Sequence, residues 1–381
     1  MGHALLTLGA LCLATACWKG KEAPTNDALT LATVYADDTA AAEVLDVAHI
    51  PGGWVTLNTG GTPLTIYDSA TAAPVEWIGR RGQGPDDLTG ARNFTAHVFR
   101  DSVLVWDVAK RRIIAVSLRS GVSRGGPVFA ATTDGSYTTS LREVSPATPL
   151  RLVQAGSGYL FQAQAGIAAR SSDLLSMALL GGNSTSGYDT IFAPASGHVE
   201  SAATELVSVP LWRECGDSLV VVFEPRGSSV QWYSISGAMR ASRKLLHQRP
   251  SLNDRYILDY MREVLRAEGR RHGKADLSES ELDRLAAQAA RQVKQLFPDS
   301  LPAVAGLFCD DHGRALLNVF NPDKLPLGRG PLWIRISEQG VVDSLRVPAR
   351  FQPLLVWDRR AVGMLTDSTG LEHLATVVLP N

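Results

Sequence analysis

The chain has 381 residues and nearly balanced charge, 37 basic against 38 acidic side chains, without the basic excess that marks most nucleic-acid binders. At 45% hydrophobic residues it is too apolar for a disordered chain and long enough to bury a large core. The 34 glycines and 20 prolines call for many turns.

The first segment, Ala4 to Ala16, is an uncharged and mostly apolar run of 13 residues, ALLTLGALCLATA. As a helix it would span about 20 Å, short of the roughly 30 Å hydrocarbon core of a bilayer, so it fits the apolar region of a secretory signal. It ends Leu13-Ala14-Thr15-Ala16-Cys17, which resembles the lipobox of bacterial lipoproteins. That resemblance implies cleavage after residue 16 and lipidation of Cys17; an ordinary secretory signal is the other reading. Residues 17–27 then form the lipidated cysteine and a polar tether. By resemblance to the enterobacterial sorting rule, Trp18 in the second mature position favours the outer membrane. The expected address is the cell envelope, facing the periplasm or exterior and held by the lipid anchor alone.

After cleavage and lipidation two thiols remain, Cys215 and Cys309. In an oxidising compartment they are a possible disulfide; buried free thiols are the alternative. Their spacing fits no metal motif.

From Val44 onward the sequence repeats. Each unit has an apolar run, a tight turn of Gly, Asp or Arg, a second apolar run and two more. The first copy ends at Gly79; later ones open near Asn93, Arg151, Leu211, Ala305 and Pro353. The first-turn positions Gly52, Asp101, Ser157, Gly216, Gly313 and Arg359 lie 49, 56, 59, 97 and 46 residues apart. Short runs rich in Val, Ile, Leu, Tyr and Trp between turn residues are strands. Four antiparallel strands per unit describe the blade of a β-propeller. The last copy supplies three strands, and a spare strand-like segment, Leu29 to Tyr35, precedes the first copy. Pairing it with Leu374 to Leu379 would close a ring of six blades spanning residues 28–381. A pair of β-sandwiches would explain neither the period nor the spare strand.

The exit of the first copy, Ile78-Gly79-Arg80-Arg81-Gly82-Gln83-Gly84-Pro85-Asp86-Asp87-Leu88, resembles the inter-blade loop of NHL-like bacterial six-bladed propellers. The C-terminal pattern, a Pro-Ala-Arg-Phe turn followed by GMLTDSTGLEHLATVVLP, is similar to the closing blade of that group. The resemblance implies an all-β six-bladed propeller and leaves activity open. The three glycines are not a dinucleotide site, because a strand rather than a helix follows them.

The long fourth interval holds the one helical stretch, residues 252–296. Ile257, Met261, Val264 and Leu265, then Leu282, Leu285, Ala286, Ala289, Val293 and Leu296, recur at helical spacing. Ser278 and Glu281 match a capping box, and Gly269 and Gly273 bracket the expected break. With nine Lys or Arg and eight Asp or Glu, this hairpin has a mixed outer face. It is a solvated lid, a docking element, or a cover over the channel mouth.

His49 and His97 occupy the same step of the first strand in neighbouring copies, and Arg213 is the matching residue in the fourth. They are the candidate channel ligand-binding residues, for an anion or, through the histidines, a metal. The competing reading is that they fill the channel wall. Asp46, Glu214, Asp310 and Asp311 lie in or beside first strands, but offer no residue-by-residue match to the metal set of gluconolactonase-like propellers. The tryptophans fall mostly inside strand runs and read as core between stacked blades. Neither a cofactor nor a catalytic residue is assigned. The leading expectation is a non-enzymatic binding scaffold for an envelope protein or a small ligand, with no nucleic-acid role. The alternatives are an NHL-type lyase or lactonase with a channel divalent metal, and a small-ligand sensor.

Overall fold

In the computed structural model the described residues are 29–35, 44–99, 101–128, 151–155, 158–165, 176–183, 187–192, 211–215, 218–224, 228–245, 251–271, 278–293, 301–310, 312–321, 329–348, 350–368 and 371–380. The signal segment, Cys17 and the tether lie outside them. The strands form six four-stranded antiparallel sheets. Sheet one holds β2 (Val44–Ile50), β3 (Gly53–Asn58), β4 (Leu64–Asp68) and β5 (Ala73–Ile78). Sheet two holds β6 (Ala91–Phe99), β7 (Ser102–Asp107), β8 (Arg112–Ser117) and β9 (Ser123–Val128). Sheet three comprises β10 (Arg151–Ala155), β11 (Gly158–Ala165), β12 (Ser176–Asn183) and β13 (Gly187–Phe192). In sheet four are β14 (Leu211–Cys215), β15 (Leu219–Glu224), β16 (Ser229–Ser234) and β17 (Met239–Lys244). Two helices follow, α1 (Asp254–Arg271) and α2 (Glu279–Val293). Sheet five is β18 (Val304–Cys309), β19 (Ala315–Phe320), β20 (Arg329–Ser337) and β21 (Gly340–Arg346).

The sixth sheet draws on both ends of the chain. Its order is β1 (Leu31–Val34), β24 (Glu372–Val378), β23 (Arg360–Thr366) and β22 (Phe351–Trp357). Leu31 stands opposite Val377 and Val34 opposite Ala375. Without β1, β24 would present an unpaired edge of backbone donors and acceptors.

The first strands are neighbours: β6 lies between β2 and β10, β14 beside β18, and β22 between β18 and β2. This is an all-β propeller, and it explains why the strand runs do not alternate apolar with polar. Sheets one and four are buried on both faces, so successive residues of their inner strands enter two different cores. In sheet one Ala48, Val55, Leu57 and Leu64 pack against Phe94, Val103 and Ile114 of sheet two. Val47, Trp54 and Tyr67, on the other face, pack against Val362, Met364 and Leu374 of sheet six. In sheet four Val221, Phe223 and Trp232 face sheet five, while Trp212, Val220 and Val222 face Val153 and Leu160 of sheet three.

Polar side chains tie first strands together. Asp46 accepts the backbone N–H of Phe94 at 2.9 Å, Asn93 donates to the Leu152 carbonyl at 2.8 Å, and Arg213 Nε donates to the Leu307 carbonyl at 3.1 Å. Each satisfies a buried or half-buried polar group across a sheet junction, where leaving it unmet would cost about 1–3 kcal/mol.

The helices form a hairpin between β17 and β18. Tyr256, Ile257 and Tyr260 of α1 pack with Leu301, just before β18, and with Phe320 of sheet five, and Leu282 and Ala286 of α2 are buried. Ser278 Oγ accepts the Glu281 backbone N–H at 3.3 Å, the capping contact that its spacing predicts. Gly269, expected at the break, is instead inside α1; a helix tolerates a single glycine at a cost near 1 kcal/mol.

Candidate functional site

First strands run side by side in one sense, so their C-terminal ends share one face of the propeller. His49, Cys215, Cys309 and Trp357 all sit at these ends. His49 is half-buried. Its ring stacks on Trp357 at 5.1 Å between centroids and meets the edge of Trp54 at 5.2 Å. Trp54 in turn donates through Nε1 to the Tyr35 hydroxyl at 2.8 Å. The imidazole therefore sits in an aromatic stack between sheets one and six.

Arg213 is engaged at a different junction. Besides its bond to Leu307, its guanidinium lies over the Phe308 ring at 5.0 Å, a cation–π contact between sheets four and five. Two residues further along β14, Cys215 is joined to Cys309 by a disulfide with 5.4 Å between the Cα atoms. Strand alternation puts Arg213 and Cys215 on one face, so the same edge carries the packing, the cation and the covalent link. His97 belongs to β6, but its side chain lies outside the described residues, as does Asp311. The structure thus shows His49 in a contact between sheets one and six and Arg213 in a contact between sheets four and five.

Two of the acidic candidates, Asp46 and Asp310, have structural roles. Asp46 spans the β2–β6 junction. Asp310 pairs with Arg314 at 2.6 Å and accepts the His312 and Arg314 backbone N–H groups, which fixes the first turn of sheet five. Among the described residues no three His, Cys, Asp or Glu side chains come together as a metal site would require. Trp54, Trp106, Trp212, Trp232 and Trp333 are buried, Trp357 is half-buried and Trp77 is exposed; Trp18 lies outside the described residues.

The glycine-rich loop, at the opposite strand ends, has a definite chemistry. Asp87 is buried inside it, takes Arg80 Nε at 2.6 Å and accepts the Gly84 backbone N–H at 2.9 Å. A Cβ at Gly82 would lie 2.2 Å from the Asp87 carboxylate and one at Gly84 2.8 Å from it. The glycines are there so that backbone can close around a carboxylate. Lys110 donates to the Gly84 and Asp87 carbonyls, and Asp107 accepts from Thr89 at 2.7 Å and Gly90 at 3.0 Å. The loop is an anion nest filled by the chain's own aspartate. The hydrogen bond from Arg80 holds the Asp87 carboxyl below the usual carboxylate range.

The hairpin lies at these same strand ends, since its partners Ala305 and Phe320 are at the start of β18 and the end of β19. It is therefore on the face away from His49. Two arginines brace it: Arg262 bridges Asp259 and Asp283, and Arg266 bridges Glu263 and Glu279. Tyr256 and Tyr260, the aromatic anchors of α1, were not singled out by the aliphatic periodicity; their i, i+4 spacing beside Ile257 was the available signal. Burial pushes the Tyr256 hydroxyl well above the usual phenol range.

No protein-family model matches the chain, and no curated protein does. Solved structures do. A protein from Bacteroides fragilis described as exported shares 11% identity, covering 93% of this chain and 95% of its own, with a TM-score of 0.52. A member of the DUF4221 family from Bacteroides vulgatus shares 9% over 92% and 97%, with a TM-score of 0.55. A virginiamycin B lyase from Staphylococcus aureus shares 8% over 92% and 100%, with a TM-score of 0.48. At these identities the likeness concerns the fold.

Proposed function

We propose that this is an envelope lipoprotein, anchored through Cys17, whose six sheets act as the blades of one ring and serve as a non-enzymatic binding scaffold. The observation that carries the reading is the hairpin. It is a preformed protrusion, braced by Arg262 and Arg266 and seated on sheet five through Tyr256, Ile257 and Tyr260. His49 and Arg213, by contrast, are engaged in holding sheets together. The exposed residues of α2 include Glu281, Asp283, Arg284, Gln288 and Arg291, so the partner it suits is a protein with a polar, charged contact surface. Anchoring receives support from the apolar run ending in Cys17. Among the described residues no helix is long and apolar enough to cross a membrane.

The test is cross-linking capture from the native envelope by the full chain and by a variant lacking residues 252–296, with both shown by circular dichroism to keep their sheets. A defined protein captured by the first and lost by the second supports the reading. Equal capture by both removes the hairpin from it. Metal analysis addresses the alternative directly: a stoichiometric, tightly held divalent ion in the purified protein would favour a lyase or lactonase chemistry in the channel.

A further inference from the structure

Both ends of the described chain are fastened to the same neighbour. At the front, the Leu29 backbone N–H donates at 2.7 Å to the carbonyl of Arg346, the last residue of β21 in sheet five. Leu29 and Leu31 also pack against the cluster of Leu345, Val347 and Leu316. At the back, Arg335 of β20 donates through Nη1 to the Pro380 carbonyl at 2.7 Å. The Arg335 side chain is only 1% exposed, and its guanidinium forms a two-point pair with Asp343 of β21, Nε to Oδ1 at 2.9 Å and Nη2 to Oδ2.

A guanidinium buried this deeply must be matched donor by donor, because it cannot give up its proton. Asp343 supplies charge from within sheet five. The third contact leaves the sheet and reaches Pro380, two residues past the end of β24, the strand that pairs with β1. We infer that sheet five is a clasp for ring closure, in which the Arg335–Asp343 pair holds the C-terminal end of β24 and so controls release of the β1–β24 pair. This is distinct from the pairing of β1 with β24 itself, since the holding groups belong to another sheet. It also separates two roles that a buried ion pair can have: filling space in its own sheet, and positioning a neighbour's strand.

Hydrogen–deuterium exchange on the full chain distinguishes these roles. The variants are Arg335→Met, Asp343→Asn and the double change Arg335→Met with Asp343→Leu, which leaves no lone buried charge. Ile114→Val in sheet two is the control for general destabilisation. A clasp predicts that the Arg335→Met and double variants speed exchange in residues 29–35 and 372–380 by about tenfold while β7 and β8 stay protected. The idea is overturned if the double variant exchanges like the parent in those two segments. It is equally overturned if exchange rises uniformly, as expected for Ile114→Val. Should Arg335→Met fail to fold, the double variant and Asp343→Asn still decide the question.

Discussion

Asp87 shows how one side chain can define a loop. Its folded carboxyl titrates below the ordinary value because Arg80 donates to the ionised form. A depressed folded pKa contributes stability above the unfolded value, near 3.9, and that contribution disappears as pH falls through the lower folded value. Asp87→Asn should therefore flatten the acid side of a plot of denaturant midpoint against pH, below about pH 4, and leave the neutral side shallow as before. An unchanged acid limb would show that the loop is held by Lys110 and Asp107 instead. Trp232 makes a different test. It is fully buried and donates through Nε1 to the Gly313 carbonyl at 3.0 Å across the sheet four–five junction. Trp232→Ala should cost about 3–5 kcal/mol and Trp232→Phe about 1 kcal/mol beyond its packing change, read from urea midpoints. The tryptophan's burial was legible in the sequence, because it sits in an apolar strand run. Its hydrogen bond was not, because the acceptor is 81 residues away.

Among the elements, the hairpin and the junction beside it matter most. The connection from β17 to β18 is the longest between consecutive sheets. At that junction the Cys215–Cys309 disulfide and Arg213 join the first strands, and Trp232 of β16 reaches the turn between β18 and β19. A cross-link spanning 94 residues restricts the unfolded chain strongly. Replacing both cysteines by alanine should lower stability by about 2–4 kcal/mol, and adding reductant to the parent protein should reproduce the shift. No difference between oxidised and reduced protein would mean that packing alone holds the junction. In the hairpin, Tyr256→Ala with Tyr260→Ala should free α1 from sheet five; faster proteolytic cleavage within residues 254–271, with sheets intact by circular dichroism, is the expected sign. The periodicity of Ile257, Met261, Leu282 and Ala286 gave the helices away. Ile257, Met261 and Val264 also marked the face of α1 that packs; what that face meets was hidden, because Phe320 is remote in sequence.

For the molecule as a whole, the recurring unit was readable because burial on both faces turns inner strands such as β3, β15 and β19 into almost continuous apolar runs, while an outer strand such as β17 stays exposed. The spare strand was readable from counting: three strands at one end and one at the other. The side chains that knit the ring, such as Asp46 to Phe94 and Asn93 to Leu152, could not be read, since polar residues in first strands look the same whether they face a ligand or a neighbour. His49 and Arg213 share that ambiguity, and each makes a contact to a neighbouring sheet. Removing residues 1–35 should leave β24 as a bare edge, and the variant is expected to self-associate or aggregate. Light scattering against the parent checks this, and a monodisperse monomer would show that the edge is protected in another way.

The pairing of Leu31 with Val377 joins positions 346 residues apart. During synthesis β1 leaves the ribosome before its partner β24 by the length of sheets one to five. Until β24 has emerged, therefore, β1 lacks the strand it pairs with, and sheet six cannot form. The strand has to wait without its partner for that whole interval, and closure of the sixth sheet follows the release of β24.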